Sequence, residues 1–188
     1  TCALPIDLVN GDGPTVGAAI SAHPEIDVVS FTGSTRAGQE VAKAAADGIK
    51  RVTQELGGKS ANIILDDADL AKAVGGGVIG CFGNSGQSCN APTRMLVPKA
   101  KMAEAIEIAK AAAAKASVGD QLDENTRLGR VVSELQFNKI NSLIAKGIEE
   151  GAELIVRGRR RPGGTATGAF ANPADLDTVN TERDSTGA

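Results

Sequence analysis

The sequence predicts an α/β fold, and two observations carry the prediction. Short β-branched runs alternate with alanine-rich helical patterns along most of the chain, and glycine-bearing turns stand where one gives way to the other. With 188 residues, of which 41% are apolar and 23% charged, the chain is in the globular range and long enough for one core or for parts of two domains.

The first strand, turn and helix succession is the plainest. "EIDVVSF" (25–31) reads as a strand, "TGSTRAG" as the turn and "QEVAKAAADGIK" as the helix. "RVTQEL" (51–56) and "ANIILDD" (61–67) are two further strands, separated by "GGKS". "DLAKAVGGGVIGCFG" reads as a glycine-rich helix that ends in a loop, and "TRMLVP" (93–98) as a buried strand. "KAKMAEAIEIAKAAAAKAS" combines high helix propensity with amphipathic spacing. "VGDQLDENTRLGR" is a loop, after which Ser133 caps a helix whose third residue is Gln136. That helix is expected to end near Gly151, with "AELIVRG" as a last clear strand. From Arg159 onward glycine, proline, threonine and aspartate dominate, without periodicity.

Composition excludes several classes. The formal net charge of −3, with both signs mixed along the chain, leaves no electrostatic footprint for nucleic acid, and the one basic run, Arg157 to Arg161, is short enough to be a solvated loop. No apolar run approaches the ~20 residues of a membrane span, and no secretory pattern opens the chain. The expectation is a cytoplasmic protein. Cys2, Cys81 and Cys89 are odd in number and lack the spacing of a disulfide framework or a zinc site, so reduced thiols and no metal are expected. Trp and Tyr are absent, for which there is no physical account.

Taken singly, the candidate motifs are weak. "GGKS" (57–60) has the end of a phosphate-binding loop, but Thr53 stands where that motif needs its first glycine. "GDGPTVG" (11–17) spaces its glycines as GxGxxxG, no better than an ordinary turn. "FTGST" (31–35) offers backbone N–H groups and hydroxyls at a helix start, suited equally to a phosphate and to plain helix capping. Glu55 ends a strand before two glycines, where a half-buried carboxylate with a raised pKa can serve as a base, although an ion pair is the commoner fate of such a residue. Cys89 follows the flexible "NSGQS", where an incidental thiol is the commoner finding.

The combination is specific. "VSFTGSTRAGQEVAKAA", "RVTQELGGKSANIILDDADL" and "NSGQSCNAPTRMLVP" resemble, in order and spacing, the aldehyde dehydrogenase superfamily, with the likeness running from about Val9 to Val156. The resemblance implies that Cys89 is the nucleophile and Glu55 the general base. It implies NAD or NADP as cofactor, with Ser34 at the pyrophosphate, Gly33 and Gly38 framing the same turn, Leu56 and Gly57 beside the nicotinamide, and Gly13 near the adenine. The expected fold is aldehyde dehydrogenase-like: residues 1–56 as the C-terminal part of a Rossmann-like dinucleotide-binding domain, and 57–188 as the N-terminal part of an α/β catalytic domain. The implied partners are a small-molecule aldehyde and, for the intact protein, further copies in a homodimer or homotetramer.

Some positions depart from the family pattern. The family's oxyanion asparagine and ribose-binding lysine belong to a segment before Thr1, and its ribose glutamate to one after Ala188, so an internal fragment without turnover of its own is expected. Arg130 stands where proline is usual, the segment at 168–179 keeps only Gly168, Phe170, Pro173 and Val179, and "TCALPI" reads as an artefact of the sequence end. Two rivals stand beside this reading: a cysteine hydrolase or acyltransferase, for which His23 is the only histidine available, and a non-catalytic scaffold of the same fold.

Overall fold

In the computed structural model of the chain, residues 6–156 and the strand at 175–177 are described. Two compact units meet between Gly57 and Gly58.

The first unit begins with a π-helical turn, Gly13–Gly17, that runs into a short helix α1 (Ala18–Ala22). Asp12 starts the turn by accepting the N–H of Thr15 at 2.8 Å, and it also accepts the Thr15 hydroxyl. These two bonds, the hydroxyl's first, hold the Asp12 carboxyl below its usual value. Ser21 is buried and donates to the Gly17 carbonyl at 2.8 Å, which satisfies the one buried polar side chain in the described residues.

Strand β1 (Val28–Thr32), helix α2 (Thr35–Ala46) and strand β2 (Arg51–Glu55) follow. The strands pair in parallel, from Val28 opposite Arg51 to Thr32 opposite Glu55. Parallel partners require a crossover, and α2 supplies it. Val29 on the sheet and Ala45 on the helix are buried, so the apolar faces of both elements are covered in the same unit. The helix ends in the turn Asp47-Gly48-Ile49, where Ile49 adopts φ 51° with its side chain 94% exposed. Lys50 then ties the connection by donating from Nζ to the carbonyls of Ile26, at 2.8 Å, and His23.

The second unit repeats the scheme. Strand β3 (Ala61–Ile63), helix α3 (Leu70–Phe82) and strand β4 (Arg94–Leu96) form another parallel pair with a helical crossover, in register from Ala61 opposite Arg94 to Ile63 opposite Leu96. Asp69 caps α3 through the N–H of Lys72 at 3.1 Å. Leu70, Val74 and Val78, spaced four apart, form one buried stripe. Against it lies α4 (Met102–Ala113), whose buried face is Ala105, Ala109, Ala112 and Ala113. Ile64 and Val156 complete this core.

Helix α5 (Glu134–Glu149) starts at Ser133, whose Oγ accepts the Gln136 N–H at 3.3 Å as the capping pattern predicts. Its Phe137 packs with Val131 and Ile140 in a small second cluster. Strand β5 (Glu153–Val156) pairs antiparallel with β6 (Asp175–Asp177). The stretch 118–130 is irregular, as expected, and carries an isolated β-bridge between Val118 and Leu128. No helix among the described residues is long and apolar enough to cross a membrane.

One expectation is corrected. The strand around "TRMLVP" is not buried: Leu96 is 54% exposed and its partner Ile63 is 63% exposed. Alternation explains this, because successive side chains of a strand face opposite ways and only the Met95 side packs on the core. Cys2 and the four pattern residues at 168–179 lie outside the residues whose side chains are described.

Ile49 yields a stability prediction. A left-handed conformation costs an L-residue about 1–2 kcal/mol, and a β-branched side chain in solvent gains nothing in return. Replacing Ile49 with Asn or Gly should stabilise the chain by about 1 kcal/mol, read as a higher midpoint in urea denaturation. A lower midpoint in both variants would contradict the assigned backbone geometry.

Candidate active site

Five of the residues singled out in the sequence converge at one end of the first parallel pair. Gly33 leaves β1 and donates its N–H to the carbonyl of Glu55 at 3.0 Å, which joins the turn to the end of β2. Ser34 then caps α2, its Oγ accepting the Ala37 N–H at 3.2 Å, while its carbonyl accepts the Gly38 N–H at 2.9 Å. Gly38 is buried because Leu56 closes over it: a Cβ there would lie 2.5 Å from Leu56 Cδ2. The Gln54 side chain donates to the Gly38 carbonyl and holds the strand end against the first turn of the helix. Gly33, Ser34, Gly38, Glu55 and Leu56 thus form one cluster where the strands end and α2 begins, the place at which α/β folds present helix N–H groups to ligands.

Three details differ from expectation or extend it. The Ser34 hydroxyl acts as a helix cap, the plainer of its two readings. Glu55 is exposed, not half-buried, because it ends a strand paired on one side only, beside Thr32, with no packed layer over its carboxylate among the described residues of the unit. Gly13 and Gly57 are open on their Cβ side. Gly13 is on the capped π-helical turn and Gly57 follows Leu56, and a Cβ would meet nothing within 4 Å at either. His23 is used locally, its Nδ1 accepting the Glu25 N–H at 3.2 Å.

Cys89 belongs to the second unit. It is exposed in a turn closed by the Ala91 N–H donating to the Ser88 carbonyl at 3.1 Å, whereas Cys81, on the last turn of α3, is half-buried. Neither forms a disulfide. The loop before Cys89, read as flexible from its composition, is a hydrogen-bonded turn in the structure. Asn84, Ser85 and Gly86 adopt successive φ values of 52°, 57° and 76°, a left-handed turn that only the glycine adopts without strain. Hydrogen bonds hold it: Gln87 N–H and Nε2 both donate to the Asn84 carbonyl at 3.1 Å, Asn84 Nδ2 donates to the Gln87 carbonyl at 3.2 Å, and Ser85 Oγ donates to the Gly129 carbonyl at 3.1 Å. Gln87 Oε1 accepts the Val132 N–H at 2.8 Å. A hollow of about 470 Å³ beside this turn is lined by Asn84, Gln87, Val132, Gln136 and Ile140.

Asn84, Ser85 and Gln87 are the residues that sequence reasoning missed. The asparagine next to "SG" was the available signal, since asparagine tolerates the left-handed region better than most residues. The partners at 129–132 are too remote in sequence to be paired by pattern.

Comparison with known proteins extends these observations to most of the chain. The aldehyde dehydrogenase family profile matches residues 5–186. A 3-succinoylsemialdehyde-pyridine dehydrogenase from a Pseudomonas species is 53% identical over 174 residues, covering 93% of this chain and 36% of that protein. A putative aldehyde dehydrogenase of Staphylococcus haemolyticus is 44% identical over 183 residues, covering 96% and 38%. Among solved structures, a mutant of aldehyde dehydrogenase C from Pseudomonas syringae, in complex with NAD+ and octanal, superposes with a TM-score of 0.92 at 48% identity, covering 95% of this chain and 37% of that one. An aldehyde dehydrogenase from Bartonella henselae superposes at 0.90, also with 48% identity, covering 94% and 37%. The chain therefore spans little more than a third of the length of the relatives it matches, and over that span it belongs to the aldehyde dehydrogenase family.

Proposed function

We propose that the whole protein oxidises an aldehyde to a carboxylic acid with NAD+ or NADP+, with Cys89 as nucleophile and Glu55 as general base. The observation that carries this reading is the exposed Cys89 thiol held at the end of a hydrogen-bonded left-handed turn, inside a span that matches the family almost from end to end.

The thiolate of Cys89 attacks the aldehyde carbon, forming a C–S bond and placing the electron pair on oxygen. When bound, NAD(P)+ supplies the hydride acceptor that turns this adduct into a thioester. Glu55 takes a proton from water, the resulting hydroxide adds to the thioester carbonyl, and the C–S bond breaks to return the thiolate and release the acid. Sulfur suits both halves, because it is a good nucleophile toward the carbonyl and a good leaving group from the thioester.

The residues of the first unit fit a dinucleotide. A parallel β1-α2-β2 arrangement, a glycine at the end of the strand and a 12-residue helix capped by Ser34 provide N–H groups and a positive dipole end for a pyrophosphate. Gly33, Ser34 and Gly38 would hold that group, Leu56 and Gly57 would flank the nicotinamide, and Gly13 would approach the adenine. Solved relatives bound to NAD+ support the cofactor class. The same reading has the chain divide near Leu56 into the end of a cofactor domain and the start of a catalytic domain, within a cytoplasmic homodimer or homotetramer.

Two measurements test the assignment. Brief, limiting iodoacetamide treatment of folded protein, mapped by mass spectrometry, should label Cys89 ahead of Cys81, and Cys89→Ala should abolish NAD(P)H formation with a panel of aldehydes. First labelling at Cys81, or multiple turnover in the alanine variant, would remove Cys89 from its role. For Glu55→Gln, acylation should proceed while deacylation slows by about 10²–10⁴, so that a burst of NAD(P)H precedes a slow steady state. Steady-state turnover equal to wild type would sink the assignment of Glu55.

A further inference from the structure

The Gln87 side chain uses both ends of its amide, one within the cysteine turn and the other on a distant part of the same unit. Its Oε1 accepts the Val132 N–H at 2.8 Å, and its Nε2 donates to the Asn84 carbonyl at 3.1 Å. Val132 stands just before the Ser133 cap of α5, 45 positions from Gln87, so the contact crosses from the end of α3 to the start of α5. Ser85 adds a second tie to the same segment through the Gly129 carbonyl. Asn84 and Ser85 are strained at φ 52° and 57°, and such residues persist only where their surroundings over-determine them, at about 1–3 kcal/mol each. The Gln87 amide contributes two of the hydrogen bonds that hold the turn, and Cys89 is two residues further along the same backbone.

We propose that Gln87 is a positioning residue: by bridging Val132 N–H and the Asn84 carbonyl it fixes the backbone from which the Cys89 thiol projects. The inference rests on the nucleophile reading of Cys89. It needs an amide, because one end must accept and the other donate. A methionine of similar size cannot donate and offers only a weakly accepting sulfur, and an ionised glutamate accepts from Val132 but places negative charge against the Asn84 carbonyl.

The experiment compares wild type, Gln87→Met and Gln87→Glu in the whole protein. For Gln87→Met, kcat for NAD(P)H formation should fall by about 10–100-fold, as expected for a reacting atom displaced by about 1 Å, while the cofactor KM stays within about twofold of wild type. Gln87→Glu should be intermediate, and its kcat relative to wild type at the same pH should rise as pH falls and the acid regains a donor proton. A purely structural role would lower the melting temperature without this pH-dependent rescue.

A second arm does not use activity. The iodoacetamide rate at Cys89 should differ between folded wild type and a free peptide of sequence NSGQSCNAP, and Gln87→Met should move it toward the peptide value while the Cys81 rate is unchanged. If wild type forms no NAD(P)H, the functional reading fails and the labelling arm alone decides the clamp. Unchanged kcat in Gln87→Met, Cys81 and Cys89 rates that shift together, or a wild-type Cys89 rate equal to that of the peptide would each overturn the proposal.

Discussion

The second unit depends on the contact between two unlike helix faces. Helix α3 presents Leu70, Val74 and Val78, and α4 answers with Ala105, Ala109, Ala112 and Ala113, so a branched apolar stripe meets a row of methyl groups. Val74 and Ala113 are sealed from solvent altogether. Small side chains on one partner let the helices approach closely and leave little void, the condition under which dispersion and burial both contribute. The end of α3 is thereby fixed, and the cysteine turn grows directly from that end.

That origin explains how an exposed loop can be well defined. A turn containing Asn84 and Ser85 in the left-handed region would relax if its only support were local sequence. Here the helix anchors it on one side and the segment before α5 on the other, through the side chains of Ser85 and Gln87. The thiol remains open to solvent while its backbone is held, a combination suited to a nucleophile that must meet a substrate in a defined direction. Polar side chains between the glycines supply hydrogen bonds that glycine-rich composition alone does not announce.

The first unit solves a different problem with similar parts. Its helix starts just after β1 ends, and Gly38 lies so close to Leu56 that a Cβ there would require the leucine side chain to shift. The bond from Gly33 N–H to the Glu55 carbonyl likewise makes the turn and the strand end one piece, so Ser34 and Glu55 share a frame.

Periodicity and caps made the elements legible from the sequence alone. Ser34 and Ser133 each begin a helix by accepting an N–H three residues on, local relations that a single segment encodes. The order of motifs around Glu55 and Cys89 likewise sufficed to indicate the family. Exposure and long-range hydrogen bonding were decided only by the tertiary structure. Whether Glu55 and Leu96 are covered depends on which neighbours a strand acquires, and whether "NSGQS" is loose or clamped depends on Val132, far along the chain. A residue's pattern reports what it can do, whereas its partners are set by packing that brings remote segments together, and pattern within a short window contains no record of them.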